Sequence, residues 1–323
     1  MTFHRFRPDA LRRIAALLLP IALLAAQLPA SAQDASNKQL RIGFQKSASL
    51  LTLQKSQGTL EKRLAPLGVT VKWVEFPAGP QLLEGLNVGA VDIGYVGEAP
   101  PIFAQAAGAR FVYIGNDPAA PEAEAIVVPK DSAIKRVADL KGKKVALNKG
   151  SNVHYLLVRA LEKAGLKYSD IQPVFLPPAD ARAAFERGAV DAWAIWDPFL
   201  AAVEKQSQAR ELVDGREIVN NYSYYLAERG YAAHNPQVIQ ALFDDTLAQA
   251  QWLKSHVPQA AAVIAPQQGL DADVVERALQ RYQFGVRPLT PAVAGEQQKI
   301  ADTFVALNLI PKPVRIADAL PAQ

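Results

Sequence analysis

The residues able to do chemistry are few, and their types point to capture rather than catalysis. Cysteine is absent from the 323 residues, so there is no thiolate nucleophile, no Cys-ligated zinc and no disulfide framework. His4, His154, His234 and His256 show no metal-ligand spacing. Neither a Gly-x-Ser-x-Gly elbow nor a P-loop occurs, and no carboxylate pair singles itself out for acid–base work. No enzymatic activity, cofactor or metal is expected. What remains is a set of neutral donors at turns. Gln45 offers an amide, and Gly150-Ser151-Asn152 offers side-chain and backbone donors where a helix starts. Ser and Asn also cap helices, so both readings stand. Trp193 and Trp196 lie three apart beside Phe199. Such aromatics build cores, but one at the mouth of a cleft can pack an alkyl chain while its indole N–H donates. Trp196, nearer the strand end, is the better candidate for that role.

The elements that must position these residues form a diverged repeat. Leu40–Phe44, Val69–Phe76 and Gly89–Tyr95 read as strands with helical patterns between them. The layout then returns. Arg41-Ile42-Gly43-Phe44-Gln45-Lys46 matches Lys144-Val145-Ala146-Leu147-Asn148-Lys149 class for class, Phe76-Pro77 matches Leu176-Pro177, and Gly89-Ala90-Val91-Asp92 is identical to Gly188-Ala189-Val190-Asp191. In that last register Glu98 falls on Asp197. Two βαβαβ units imply an α/β protein of two lobes, each a mostly parallel sheet with helices on both faces. In such sheets ligands bind outside the carboxyl ends of the strands, where helix N-termini present free N–H groups. Two lobes facing each other make a cleft that prefers an anion. Turn-rich breaks at Asn116–Pro121 and at Asp214–Asn221 precede the strands Glu124–Pro129 and Tyr222–Ala227. These strands are read as crossovers, with residues 33–123 as the first part of lobe 1, 124–222 as lobe 2 and 223–323 returning to lobe 1 as a largely helical region. Tyr222 and Tyr224 alternate, so both point to one face, toward the cleft in this reading.

The N-terminus reads as an address. Arg12-Arg13 closes a basic stretch, Ile14–Leu28 is apolar, and Pro29-Ala30-Ser31-Ala32 supplies an Ala-x-Ala site, the three-part secretory signal. Residues 1–32 are expected to be cleaved and the remainder to be soluble outside the cytoplasm. The formal charge is +4, but Arg5, Arg7, Arg12 and Arg13 against Asp9 place most of it in the leader, so a nucleic-acid role loses its basic face. Apolar residues make up 50% and charged residues 20%, a globular balance.

Several blocks then resemble one family. Arg41–Lys46, Trp73–Gln81, Glu98–Gly108, Val137–Gly142, Lys149-Gly150-Ser151, Pro178–Phe185 and Asp191-Ala192-Trp193-Ala194-Ile195-Trp196-Asp197-Pro198 are similar to the aliphatic sulfonate-binding proteins of ABC transporters, with taurine- and nitrate-binding relatives further off. The resemblance implies the type II periplasmic-binding-protein fold, two lobes of mixed sheet closing over a ligand. It also narrows the location to the periplasm and implies a monomer that delivers an alkanesulfonate to a membrane permease driven by a cytoplasmic ATPase. A chemosensory protein using the same cleft is the alternative of a different class.

With that resemblance, the ligand contacts are expected from Gln45, Gly97, Glu98, Gly150, Ser151, Asn152, His154, Trp196, Asp197 and Tyr222. A sulfonate is always anionic and needs several donors, because an unpaired buried charge is very unfavourable. Glu98 and Asp197 are awkward beside an anion. Either they cap helices or pair with Lys46, Lys149 or Arg182, or one accepts from an amine or hydroxyl elsewhere on the ligand. His154, one turn into its helix, is more often a structural residue type than a ligand.

Overall fold

The computed structural model describes residues 39–321; the leader read over 1–32 lies outside them. The first half runs β1 (Gln39–Phe44), α1 (Ser49–Gln57), α2 (Thr59–Leu64), β2 (Thr70–Glu75), α3 (Gly79–Asn87), β3 (Ile93–Gly97), α4 (Ala99–Ala106) and β4 (Phe111–Asn116). The second runs β5 (Glu124–Val128), β6 (Lys144–Leu147), α5 (Asn152–Lys163), β7 (Gln172–Phe175), α6 (Pro178–Glu186), β8 (Ala192–Trp196), α7 (Phe199–Gln206) and β9 (Arg210–Asp214). The chain then returns through β10 (Ser223–Glu228) to α8 (Arg229–His234), α9 (Pro236–Ser255), α10 (Val257–Gln268), α11 (Ala272–Gln280) and α12 (Pro291–Ala306).

Two five-stranded sheets result, with orders β2-β1-β3-β10-β4 and β7-β6-β8-β5-β9. The order is the same once the exchanged strands are recognised. Strand β10 lies antiparallel between β3 and β4, and β5 lies antiparallel between β8 and β9. Each sheet is therefore mixed rather than wholly parallel, and the antiparallel member is the strand that crosses over. Each sheet with its helices is a lobe.

The shared Gly-Ala-Val-Asp has a physical cause. Gly89 and Gly188 end α3 and α6 in the left-handed region, at φ 71° and 69°, which a Cβ disfavours. Val91 and Val190 are buried. Asp92 then exchanges two bonds with Arg41: its N–H donates to the Arg41 carbonyl, and its Oδ2 accepts the Arg41 N–H, both at 2.8 Å. Asp191 does the same with Lys144, again at 2.8 Å. One side chain in each lobe thus pins the start of the strand that leads to the cleft. Proline in the first turn of α3, α4 and α6 starts each helix close behind its strand. The first lobe buries apolar side chains on both faces of its sheet, around Leu82, Ile102 and Phe304 on one side and Leu40, Leu60 and Leu242 on the other.

The chain passes between the lobes twice, at 117–123 and 215–222. These segments bond to each other: the Ala120 N–H donates to the Asn220 carbonyl (3.1 Å) and the Gly215 N–H to the Pro121 carbonyl (2.9 Å). They form a two-stranded hinge at the floor of the cleft.

Candidate functional site

The strand-end turns of both lobes converge on an open-mouthed space of about 450 Å³. Gln45 and Ser47 come from the β1–α1 turn, Tyr95 and Gly97 from β3, and Gly79 and Pro100 from the first turns of α3 and α4. Ser151 and Asn152 enter from the N-terminus of α5 and Trp196 from the end of β8. Asn221 enters from the hinge, Ser223 from the start of β10, and Tyr282 from the segment after α11. No lysine, arginine, aspartate or glutamate stands among these residues. An anion here would meet neutral dipoles.

Several donors are only partly spent. Gln45 Nε2 donates once, to the Tyr95 carbonyl (3.2 Å), leaving its second amide proton. Asn152 Nδ2 donates once, to Asn221 Oδ1 (2.5 Å), while Asn221 Nδ2 holds the Ala120 carbonyl (2.8 Å). Asn221 sits at φ 52°, a conformation Asn tolerates better than most residues. Ser151, by contrast, commits its hydroxyl proton to the Asn148 carbonyl (2.7 Å). Trp196, 9% exposed, stands edge-on to Phe199 at 6.3 Å, whereas Trp193 is core and packs on Phe185.

Five of the expected contacts are placed elsewhere. His154 is fully buried and packs among Phe103, Tyr168, Phe175 and Phe304. Its Nδ1 accepts the Gly150 N–H (3.3 Å), so Nε2 carries the proton toward the Tyr168 hydroxyl (3.0 Å). Burial, with Lys149 nearby, pushes its pKa down to about 4, so it is a neutral core histidine. Gly150, at φ 73°, lies against the Phe103 ring. Tyr222 and Tyr224 do share a face, but it is the apolar face of the first lobe, where Tyr224 meets Tyr113 at 5.1 Å. The residue between them, Ser223, is the one that lines the cleft.

Glu98 and Asp197 sit behind the lining; Asp197 both caps a helix and pairs with a base, whereas Glu98 does neither. Glu98 Oε2 accepts the Tyr222 N–H (2.9 Å), and burial raises its pKa to about 8. Asp197 accepts the Ala201 N–H (2.9 Å) and two bonds from Arg281 Nη1 (3.3 and 3.2 Å). Its partner is Arg281 rather than Lys46, Lys149 or Arg182. Lys46 donates to the Gln268 carbonyl (2.6 Å), Lys149 stands over Phe175, and Arg182 pairs with Glu186. Burial lifts Asp197 to about 6 against the pull of Arg281, so it stays ionised at neutral pH. Asp117, which accepts from the Tyr95 hydroxyl (2.7 Å), is pushed by burial to about 8.

The expected set omitted several lining residues. Ser47 follows Gln45 in the same strand-end turn and was open to the same reasoning. Asn221 lies in a turn-rich break that marked a boundary but not a wall. Nothing local marks Tyr282, which long-range packing of α11 delivers.

Comparison with known proteins agrees with this architecture. The model of the NMT1-like family matches residues 33–267. A protein of Escherichia coli (strain K12) that carries the name of an aliphatic sulfonates-binding protein is 49% identical over 296 residues, 91% of this chain and 92% of its own. The solved alkanesulfonate-binding protein SsuA from Xanthomonas axonopodis pv. citri, bound to MOPS, is 44% identical with a TM-score of 0.84, covering 88% of this chain and 98% of that one. The periplasmic aliphatic sulphonate binding protein SsuA from Escherichia coli is 47% identical with a TM-score of 0.81, covering 88% and 92%. The chain belongs to the NMT1-like family and, within it, groups with the aliphatic sulfonates-binding proteins.

Proposed function

We propose that this chain is a periplasmic binding protein that captures an aliphatic sulfonate between its lobes and delivers it, unchanged, to an ABC permease with a cytoplasmic ATPase. One observation carries the reading: the lining draws neutral donors from both lobes, contains no charged side chain and is walled by Trp196 and Tyr282. A sulfonate has three acceptor oxygens, a permanent charge and an apolar tail, and each feature has a counterpart there. The relatives named above are sulfonate binders by name, which supports the same ligand class. The lining serines face neither a histidine nor a carboxylate that would act as base, so the cleft is a poor hydrolase. The lobe divisions after residues 123 and 222 mark, in this reading, the bodies that move about the hinge.

Calorimetry with alkanesulfonates of increasing length tests the proposal, with taurine, nitrate and sulfate as competitors. One site per chain and intact recovered ligand are expected; consumption of ligand overturns it. The variants separate head from tail. Gln45→Ala and Asn152→Ala each remove a donor with a proton to spare and are expected to lose about 1.5–3 kcal/mol, the range for bonds to charged groups, equally for methanesulfonate and hexanesulfonate. Ser151→Ala is expected to lose less, since its proton is already committed. Trp196→Ala is expected to lose more for the longer ligand, by up to about 0.8 kcal/mol per methylene in contact. Equal losses for both ligands in Trp196→Ala would place the tail elsewhere.

Export is checked separately. Sequencing the N-terminus of protein from a periplasmic fraction is expected to start after Ala32; a start at Met1 in that fraction contradicts cleavage.

A further inference from the structure

Helix α11 has one face in each lobe. Val275 and Leu279 join Ala261 and Ile264 of α10 in an apolar cluster of the first lobe that also holds Leu50 and Leu53 of α1, while Val274 and Ala278 pack on Ala201 and Ala202 of α7 in the second. Just past the helix, Arg281 donates through Nη2 to both oxygens of Glu204 (2.8 and 2.7 Å) and through Nη1 to both oxygens of Asp197. Arg277 adds a bond to Glu204 (2.8 Å), and Lys205 pairs with Asp273 at the rim. Asp197 is fully buried and the Arg281 side chain is only 13% exposed, so this is an enclosed pair, of the kind whose separation is strongly destabilising.

The chain positions of the two partners give the pair its consequence. Asp197 directly follows Trp196, and Arg281 directly precedes Tyr282, two of the three aromatic residues of the cleft lining, Tyr95 being the third. The pair therefore ties together the peptides that carry the walls, one from each side of the cleft. We propose that Arg281 is a positioning residue: by gripping Asp197 and Glu204 it sets the separation of Trp196 and Tyr282, and with it the tail lengths that the closed cleft accepts. The planar guanidinium suits this role because it holds two carboxylates in one fixed fork.

The inference rests on the sulfonate reading for its ligands, and the test keeps the two apart. Affinities for methanesulfonate and hexanesulfonate are measured in the native chain, Arg281→Gln and Arg281→Lys. Spin labels on Val88→Cys and Arg187→Cys, exposed sites on different lobes, report interlobe distance in a chain with no other cysteine. Arg281→Gln is expected to broaden the distance distribution and to change the hexane-to-methanesulfonate affinity ratio by about fivefold or more, roughly 1 kcal/mol. Arg281→Lys, which keeps the charge but not the fork, is expected to restore the ratio in part. A purely structural role would weaken both ligands alike, so an unchanged ratio overturns the proposal whatever the absolute affinities. If Arg281→Gln fails to fold, Glu204→Gln at the outer edge of the pair is read by the same ratio. If the native chain binds neither sulfonate, the functional reading fails instead, and the label distance decides: unchanged in Arg281→Gln, it overturns the proposal; broadened, it supports it.

Discussion

Gly97→Ala is expected to weaken ligand affinity by about 10–100-fold while the chain unfolds at close to its native temperature. A Cβ on Gly97 falls 1.9 Å from Asn152 Oδ1 and 2.4 Å from both Cγ and Nδ2. Gly97 ends β3 in one lobe and Asn152 opens α5 in the other, so the obstruction lies between lobes and in neither core. To admit the methyl group, Asn152 must swing away and give up its bond to Asn221, or the lobes must stay apart. Either way the ligand loses donors from one side, and a ligand closes a cleft only through its differential affinity for the closed state. A lost bond to a charged group is worth about 1.5–3 kcal/mol, hence the expected range. Gly94 supplies the control. A Cβ there meets Leu82 Cδ2 at 2.4 Å inside the first lobe, so Gly94→Ala is expected to destabilise by about 1–3 kcal/mol, as overpacking does. Native affinity in Gly97→Ala would mean that ligand binds with the lobes further apart than they stand here.

The repeat was legible because its residues do backbone work. Gly89 and Gly188 answer a left-handed helix end, and Asp92 and Asp191 clamp a strand start, so the same letters recur wherever the same geometry does. The donors at strand ends were legible for a related reason: a βα turn in a parallel unit opens onto the cleft, and Gln45, Ser151 and Asn152 sit on such turns. Direction and partner were not legible. Glu98 and Asp197 occupy matching places in the repeat, yet one faces the Tyr222 N–H and the other Arg281. A repeat preserves the chain path and not what packs against it. Tyr222, just before β10, and Ser223, its first residue, point to opposite sides, and that parity is fixed by the register of β10 against β3, which no local pattern reveals. His154 looked available because it follows Ser151 by one turn, but helical periodicity puts it on the buried face with Leu157, Val158 and Leu161.

Raising the pH from about 6.5 to 9 is expected to lower both the stability of the chain and its affinity for a sulfonate, although the sulfonate stays ionised throughout. Glu98 and Asp117 are both lifted by burial to about 8, whereas in an unfolded chain such groups ionise near pH ~4. Between those values the unfolded chain has released from these two groups the protons that the folded chain still holds, and burial lifts Glu124 in the same direction. The unfolded state then binds fewer protons, so stability is fully present below the unfolded values, falls as pH rises and levels off above the folded ones. At about 1.4 kcal/mol per unit, each group can contribute up to roughly 5 kcal/mol, a ceiling that relaxation and water entry reduce. His154 works in the opposite direction. Its pKa is held down to about 4, so stability rises with pH until about 6.5, where free histidine titrates, and this offsets the carboxyls at the acid end. One histidine cancels only one of the two carboxyls, so the decline is shallow below about pH 6.5 and steepens above it. Thermal unfolding at stepped pH measures it, and Glu98→Gln and Asp117→Asn are each expected to flatten the slope. The link to binding runs through Tyr95, which lines the cleft and donates to Asp117. While Asp117 keeps its proton the cleft wall is neutral, and an anion meets only dipoles. Once Asp117 ionises, a negative charge stands one hydrogen bond behind the lining, where even an effective dielectric constant of about 20 leaves a repulsion of order 1–4 kcal/mol. Affinity for methanesulfonate is thus expected to fall above pH 8 in the native chain and to hold level in Asp117→Asn. A flat profile in both would show that the buried carboxyls do not reach the ligand electrically, and that neutral donors alone set its affinity.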